Sequence, residues 1–264
     1  MLYLMERLAP GARVLDLGAG SGSFPRTRDD LIVVRLDLQV PADRSDGAYV
    51  AADGARLPFR SATFDLVVSN HSLEHVVNPE ATLREVARVM RPDATFYVAV
   101  PNAATLTDRI YRWMAKGGGH VNAFRRPEEV VNLVERLTGL PHRGTRVLYS
   151  SLSFLNAHNF KTRPPRKILL FARGNEKFLA IFAWCLRWVD VHLGTHLSQY
   201  GWSFYFGAVD APHTHEHWIN VCVRCGSGQS QVFLKKKGII PPLPAMFIWY
   251  RCPVCKCRNL LTAE

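Results

Sequence analysis

The residues able to do chemistry fall in three places along the chain. Near its carboxyl end, Cys222-x-x-Cys225 and Cys252-x-x-Cys255 are two knuckles separated by 26 residues. Four thiolates at that spacing can close a tetrahedral structural zinc site, with Cys257 as an alternative fourth ligand. Farther up, SNHSLEH (69–75) gathers His71, Glu74 and His75, side chains that can take a proton from a hydroxyl. The third place is RVLDLGAGSGSF (13–24), where an apolar run carrying Asp16 breaks into Gly18, Gly20 and Gly22.

A glycine turn after a strand is the usual cradle of a nucleotide-like ligand. A dinucleotide fingerprint would place its last glycine three positions after Gly20, where this chain has Ser23. Asp16 would face a pyrophosphate unfavourably, whereas a carboxylate there suits a ligand bearing an ammonium group. S-adenosylmethionine is such a ligand. The run LIVVRLD ends in Asp37, nineteen positions after Gly18, where an acid can accept from both ribose hydroxyls. In AADGARLPF, Asp53 can accept from an adenine amino group or act as a turn residue.

The elements that must position these groups follow from the pattern. Strands are expected at 13–17, 31–37, 64–69 and 94–100, alternating with helical or polar segments, as in a doubly wound parallel sheet. NPEATLREVARVM reads as a helix capped by Asn78, opened by Pro79, striped by Leu83, Val86, Ala87 and Met90, and stopped by Pro92. A second helix is expected from Pro127 to Leu137, ending at Gly139, and GWSFYFG (201–207) reads as a later strand.

Taken in order, VLDLGAGSG, VVRLD, AADGARLPF, FDLVVSNHSLEHV and LREVARVMRPDATFYVAVPN resemble the class I S-adenosylmethionine-dependent methyltransferases often called type 11. The likeness covers about residues 10 to 140. It implies an α/β Rossmann-like doubly wound sheet, with Gly18, Gly20 and Gly22 approaching the methionine portion of S-adenosylmethionine. It further implies that Asp16 orients the donor's amino group, Asp37 holds the ribose, Asp53 sits near the adenine, and Asn70 and His71 border the sulfonium and the substrate entrance. Two departures are visible: only 14 residues separate Gly22 from Asp37, so the first helix must be short or irregular, and the stretch before the first strand is brief for the amino-terminal helix that often lids the cofactor in this family.

Three segments are expected: a methyl-donor-binding domain at 1–150, an aromatic-rich insert and candidate lid at 151–210, and a zinc-ribbon-like β module at 211–264. In the insert, Phe178, Ile181, Phe182, Cys185, Leu186 and Val189 follow helical spacing and are expected to face the core. FLAIFAWCLRWVDVHL (178–193) is too short to span a bilayer, which takes about 20 apolar residues. His213, His215 and His217 alternate as on a strand surface, and KTRPPRK (161–167) reads as a linker.

Charge divides the chain unevenly: residues 1–160 carry 19 basic and 17 acidic side chains, and 161–264 carry 14 and 5. The basic half suits an anionic partner such as RNA or a peripheral membrane surface. A 48% apolar composition excludes a disordered chain, and an amino terminus without a basic and then apolar leader leads us to expect a cytoplasmic protein. The favoured function is methyl transfer to a small-molecule or carrier-borne glycan or lipid acceptor. The alternatives are an RNA-directed methyltransferase and a non-catalytic partner-binding protein.

Overall fold

The computed structural model describes residues 1–26, 28–42, 47–114, 119–159, 176–212, 219–241 and 247–262. His213, His215, His217 and the 161–167 linker lie outside the described residues. The elements are α1 (Leu2–Arg7), β1 (Arg13–Leu17), β2 (Ile32–Asp37), β3 (Ala48–Ala51), β4 (Phe64–Asn70), α2 (Pro79–Val89), β5 (Met90–Pro101), α3 (Leu106–Met114), α4 (Pro127–Thr138) and β6 (His142–Tyr149). They continue with α5 (Glu176–Leu193), β7 (Gln199–Gly207), β8 (Asn220–Val221), β9 (Gly228–Gln229), α6 (Gln231–Lys236), β10 (Trp249–Arg251) and β11 (Arg258–Leu260).

Two compact units interleave along the chain: Met1–Asn102, His120–Arg146 and Trp202–His213 form the first, and Ala103–Gly119, Val147–Gly201 and Thr214–Glu264 the second. Seven strands make one sheet in the order β3-β2-β1-β4-β5-β7-β6. The pairings β1 to β2, β2 to β3, β1 to β4 and β4 to β5 are all parallel. Strands buried on both faces read as apolar runs, so the two charges inside them stand out. Asp16 in β1 and Arg35 in β2 are register partners.

Helix α2 forms where its caps demand it: the Asn78 side chain accepts from the Ala81 N–H, Pro79 needs no donor, and Leu83, Val86 and Val89 are buried. It ends at Val89 rather than at Pro92, because Met90 already opens β5 and Pro92 lies on that strand's exposed start. Helix α4 stops at Gly139, whose φ of 69° is the left-handed conformation glycine tolerates best. Between β1 and β2 the described residues form turns and no helix.

The second unit contains two antiparallel two-stranded sheets, β8-β9 and β10-β11. Asn220 and Thr262 exchange side-chain and backbone bonds, and the Tyr250 hydroxyl donates to the Asn220 carbonyl, tying the two hairpins together. In α5 the buried side chains are Leu179, Ala180, Ala183 and Arg187. Phe178, Ile181 and Cys185 are exposed, so the expected core stripe is corrected: the helix buries the neighbouring face, built of one leucine, two alanines and one arginine.

Candidate active site and candidate metal centre

The first site gathers at the carboxyl ends of β1, β2 and β4. Gly18 and Ala19 donate backbone N–H bonds to the Leu36 carbonyl, and Gly20 N–H reaches the Asp37 carboxylate at 2.7 Å. The three glycines serve different needs. A Cβ on Gly18 would fall 2.3 Å from Ser72 Cβ, and one on Gly22 would fall 2.3 Å from the Arg35 guanidinium. Gly20 has open space before it, with nothing within 4 Å.

Asp16 is fully buried, and its Oδ2 accepts from Ser23 N–H at 3.0 Å and from Arg35 at 2.9 Å. Its Oδ1 has no partner. Burial pushes this carboxyl above its ordinary range, against the pull of Ser23 and Arg35. Arg35 also donates to the Phe24 carbonyl and lies over the Phe24 ring, so one buried cation braces the whole glycine loop. Sequence reasoning missed Arg35; its signal was the one basic residue inside the run LIVVRLD.

Asp37 ends β2 and is partly buried, beside the loop it braces. Asp53 accepts from Ala55 N–H at 2.9 Å as a turn-forming acid, and Asn70 is the last residue of β4. His71 follows with φ 55°, a conformation that a side chain other than glycine rarely adopts, and its N–H bonds the Ala99 carbonyl. Its ring nitrogen lies 3.7 Å from a Glu74 carboxylate oxygen, and His75 lies 4.0 Å from the same oxygen.

Glu74 is buried, and its Oε2 has no partner. Val121 and Asn122 N–H groups both bond the Glu74 carbonyl, and the Asn122 amide bonds the Leu73 and Val76 carbonyls. This stitching delivers His120 to the group, its ring 4.9 Å from that of His75. One ligand atom each from Glu74, His75 and His120 lie within 4.8 Å of one another, a donor set that suits a divalent cation. Sequence reasoning missed His120, since nothing local linked GGGH to SLEH.

In the second unit, Sγ atoms of Cys222, Cys225, Cys252 and Cys255 lie within 4.8 Å of one another, with Cys222 to Cys255 at 3.5 Å and Cys225 to Cys252 at 3.7 Å. Zinc–sulfur bonds of about 2.3 Å in a tetrahedron require sulfur separations of about 3.8 Å, so the residues fit the ion. A disulfide would need about 2.05 Å.

The knuckles repeat one geometry. Cys222 N–H bonds the Ser227 carbonyl while Gly226 N–H bonds Cys222; Cys252 N–H bonds the Cys257 carbonyl while Lys256 N–H bonds Cys252. Cys257 thus stands where Ser227 stands, two residues past the knuckle, and its thiol bonds the Arg258 carbonyl. Burial would push the Cys252 thiol up, but N–H donors from Cys255 and Val254 bring it down to about 7. Burial pushes Cys222, Cys225 and Cys255 up, so a bound cation would be needed to deprotonate them at neutral pH.

Lys235, Lys236 and Lys237 are exposed on and just past α6. A cavity of about 460 Å³ in this unit is lined by Arg251, Lys256 and Arg258 beside Trp249. No helix of the described residues is long and apolar enough to cross a membrane.

Strand order, glycine loop and the acid ending β2 together define the class I S-adenosylmethionine-dependent methyltransferase fold. Residues 15–98 match the family model described as a methyltransferase domain, Methyltransf_11. The chain is 32% identical over 143 residues to a ubiquinone biosynthesis O-methyltransferase of Rhizobium rhizogenes, covering 46% of this chain and 56% of that one. It is also 32% identical over 146 residues to a demethylmenaquinone methyltransferase of Corynebacterium urealyticum, covering 51% and 63%. The matches therefore span somewhat more than half the length of these relatives. Among solved structures, one from Anabaena variabilis, assigned as a methyltransferase of an antibiotic biosynthesis pathway, superposes with a TM-score of 0.52 at 17% identity, over 79% of this chain and 96% of that chain.

Proposed function

We propose that the protein transfers a methyl group from S-adenosylmethionine to a small-molecule or carrier-borne acceptor. The observation that carries this reading is Asp16 Oδ1, buried and unpartnered at the carboxyl end of β1 beside the glycine loop. A donor bearing an ammonium group supplies the missing hydrogen bond. Gly20 offers the loop's open approach, Gly18 and Gly22 shape it, Asp37 faces the ribose, Asp53 the adenine, and Asn70 the sulfonium.

Transfer is an in-line displacement: the acceptor's lone pair attacks the methyl carbon, the carbon–sulfur bond breaks, and its electrons stay on sulfur. Orientation and exclusion of water supply most of the rate. For a hydroxyl acceptor the departing proton goes to His71, whose ring nitrogen lies 3.7 Å from Glu74. The relatives named for ubiquinone and menaquinone support an acceptor with ring oxygens. The Glu74, His75 and His120 cluster favours a second use of the same corner: a divalent cation there would hold such oxygens and leave His71 as the base.

In the second unit, Cys222, Cys225, Cys252 and Cys255 hold a structural zinc ion, for which their sulfur separations are the support. Methyl transfer is tested by melting the full chain with S-adenosylhomocysteine and, separately, with NAD. The homologous product should raise the midpoint and NAD should not; a larger shift with NAD refutes the reading. Incubating extract with the labelled donor then identifies the acceptor.

A further inference from the structure

Arg187 sits on α5 and is 1% exposed. Its Nη2 donates to the Val221 carbonyl at 2.9 Å and to the Ser150 carbonyl at 3.4 Å, and its Nε has no partner. Among the described residues it forms no ion pair. The nearest acid on its helix, Asp190, is taken up by Thr195, Leu197 and Ser198. A guanidinium cannot escape burial by losing its proton, so an interior without an anion leaves its charge unanswered.

The surroundings name the anion. Val221 immediately precedes Cys222, and Leu179, Ala180 and Ala183, on the buried face of α5 that carries Arg187, pack against Cys222, Cys252 and Cys257. Zinc with four thiolates carries two negative charges. Arg224, beside the first knuckle, is already paired with Glu176 at 2.6 Å and 2.7 Å, so it brings no net charge, and Arg251, Lys256 and Arg258, beside the second, are exposed to solvent. We propose that Arg187 is the internal counter-ion of the metal tetrathiolate, and that through the Val221 carbonyl it also positions the strand entering the Cys222 knuckle. This rests on the zinc reading, and places Arg187 outside the coordination sphere as a positioning residue.

The test uses the full-length protein: metal content by elemental analysis, zinc affinity by competition with a chromophoric chelator, and melting midpoints with and without metal, for wild type, R187K and R187M. Wild type should hold one zinc per chain. R187M should bind zinc about 10 to 100-fold more weakly, the range for lost outer-shell partners, and R187K should stay within about threefold by retaining the charge. Zinc should also raise the midpoint less in R187M than in wild type, because apo R187M no longer buries an unbalanced cation. Equal affinity in R187M, or an equal midpoint loss with and without metal, overturns the proposal. Should R187M not fold, R187K decides, and a tenfold loss there overturns it. Wild type without metal refutes the zinc reading itself.

Discussion

Among the described residues each compact unit buries one arginine completely, and the two are answered differently. Arg35 lies in a parallel sheet and meets a carboxylate, Asp16, its register partner on the next strand. Arg187 lies on a helix and meets only carbonyl oxygens among the described residues. Formal charge follows the same division: the first unit's segments hold 16 basic and 17 acidic residues, the second's 17 and 5. A unit so poor in acids has few side-chain anions with which to neutralise an interior cation. On the zinc reading proposed above, a metal–thiolate centre would supply that charge, and the second unit's integrity would then be conditional on metal where the first unit's parallel sheet would not be.

Removing the metal should therefore have the largest effect and separate the units. Structural zinc contributes about 10 kcal/mol or more to small zinc domains. Chelation, or C252S, should abolish the protection of Ile219, Val221, Tyr250 and Leu260 amides from hydrogen exchange while β1 and β4 keep theirs. Simultaneous loss in both units would break the contrast.

The corresponding cut in the first unit is D16N, which leaves Arg35 buried without its anion. Breaking one side of a buried pair costs about 3–5 kcal/mol, read as a lower urea midpoint. Replacing both partners with apolar residues of like volume should restore most of that loss. D16N should also bind S-adenosylhomocysteine poorly at temperatures where it remains folded, because an amide is uncharged and, with its oxygen turned to Ser23 and Arg35, sets an NH2 group where the open Oδ1 stood.

Within the glycine loop the same unit offers a finer division. G18A meets Ser72 at 2.3 Å and should lower the melting midpoint. G20A meets nothing and incurs only the cost of its positive φ, about 1 kcal/mol. It should instead weaken S-adenosylhomocysteine binding, measured by calorimetry. A G20A protein that binds normally would take the ligand away from the loop's open side.

Where chemistry and local pattern coincide, the sequence was legible. The strands at 13–17 and 64–69, the Asn78 cap and the two cysteine knuckles all emerge in place, because strand burial, capping and ligand spacing are short-range signals. The misses are long-range. Hydrophobic spacing put Cys185 in the core, but α5 turns an arginine inward, and no apolar periodicity marks a face whose largest buried member is a charge. His120 is brought to Glu74 by the Asn122 and Val121 bonds to residues 73–76, a pairing that no window of sequence contains. Strand β3, AYVA, was too short and too exposed to register as a run.

The smallest expected effect tests whether Arg187 stands alone. Arg224 beside the knuckles has its own partner: hydrogen bonding from its guanidinium holds the Glu176 carboxyl down to about 2. A lowered carboxylate pKa adds stability above the ordinary value near 4.5, and that stability fades as pH falls towards about 2. The pair is partly exposed, so E176Q should cost about 1 kcal/mol at pH 7. The difference in urea midpoint between wild type and E176Q should stay constant from pH 7 to about 5.5 and narrow below it; acid loss of metal affects both proteins and cancels. E176Q should leave zinc affinity nearly unchanged, since it frees a cation rather than removing one. If it weakened zinc as much as R187M does, the charge balance would belong to the Glu176, Arg224 and Asn156 network, and Arg187 would be one dipole-satisfied prop among several.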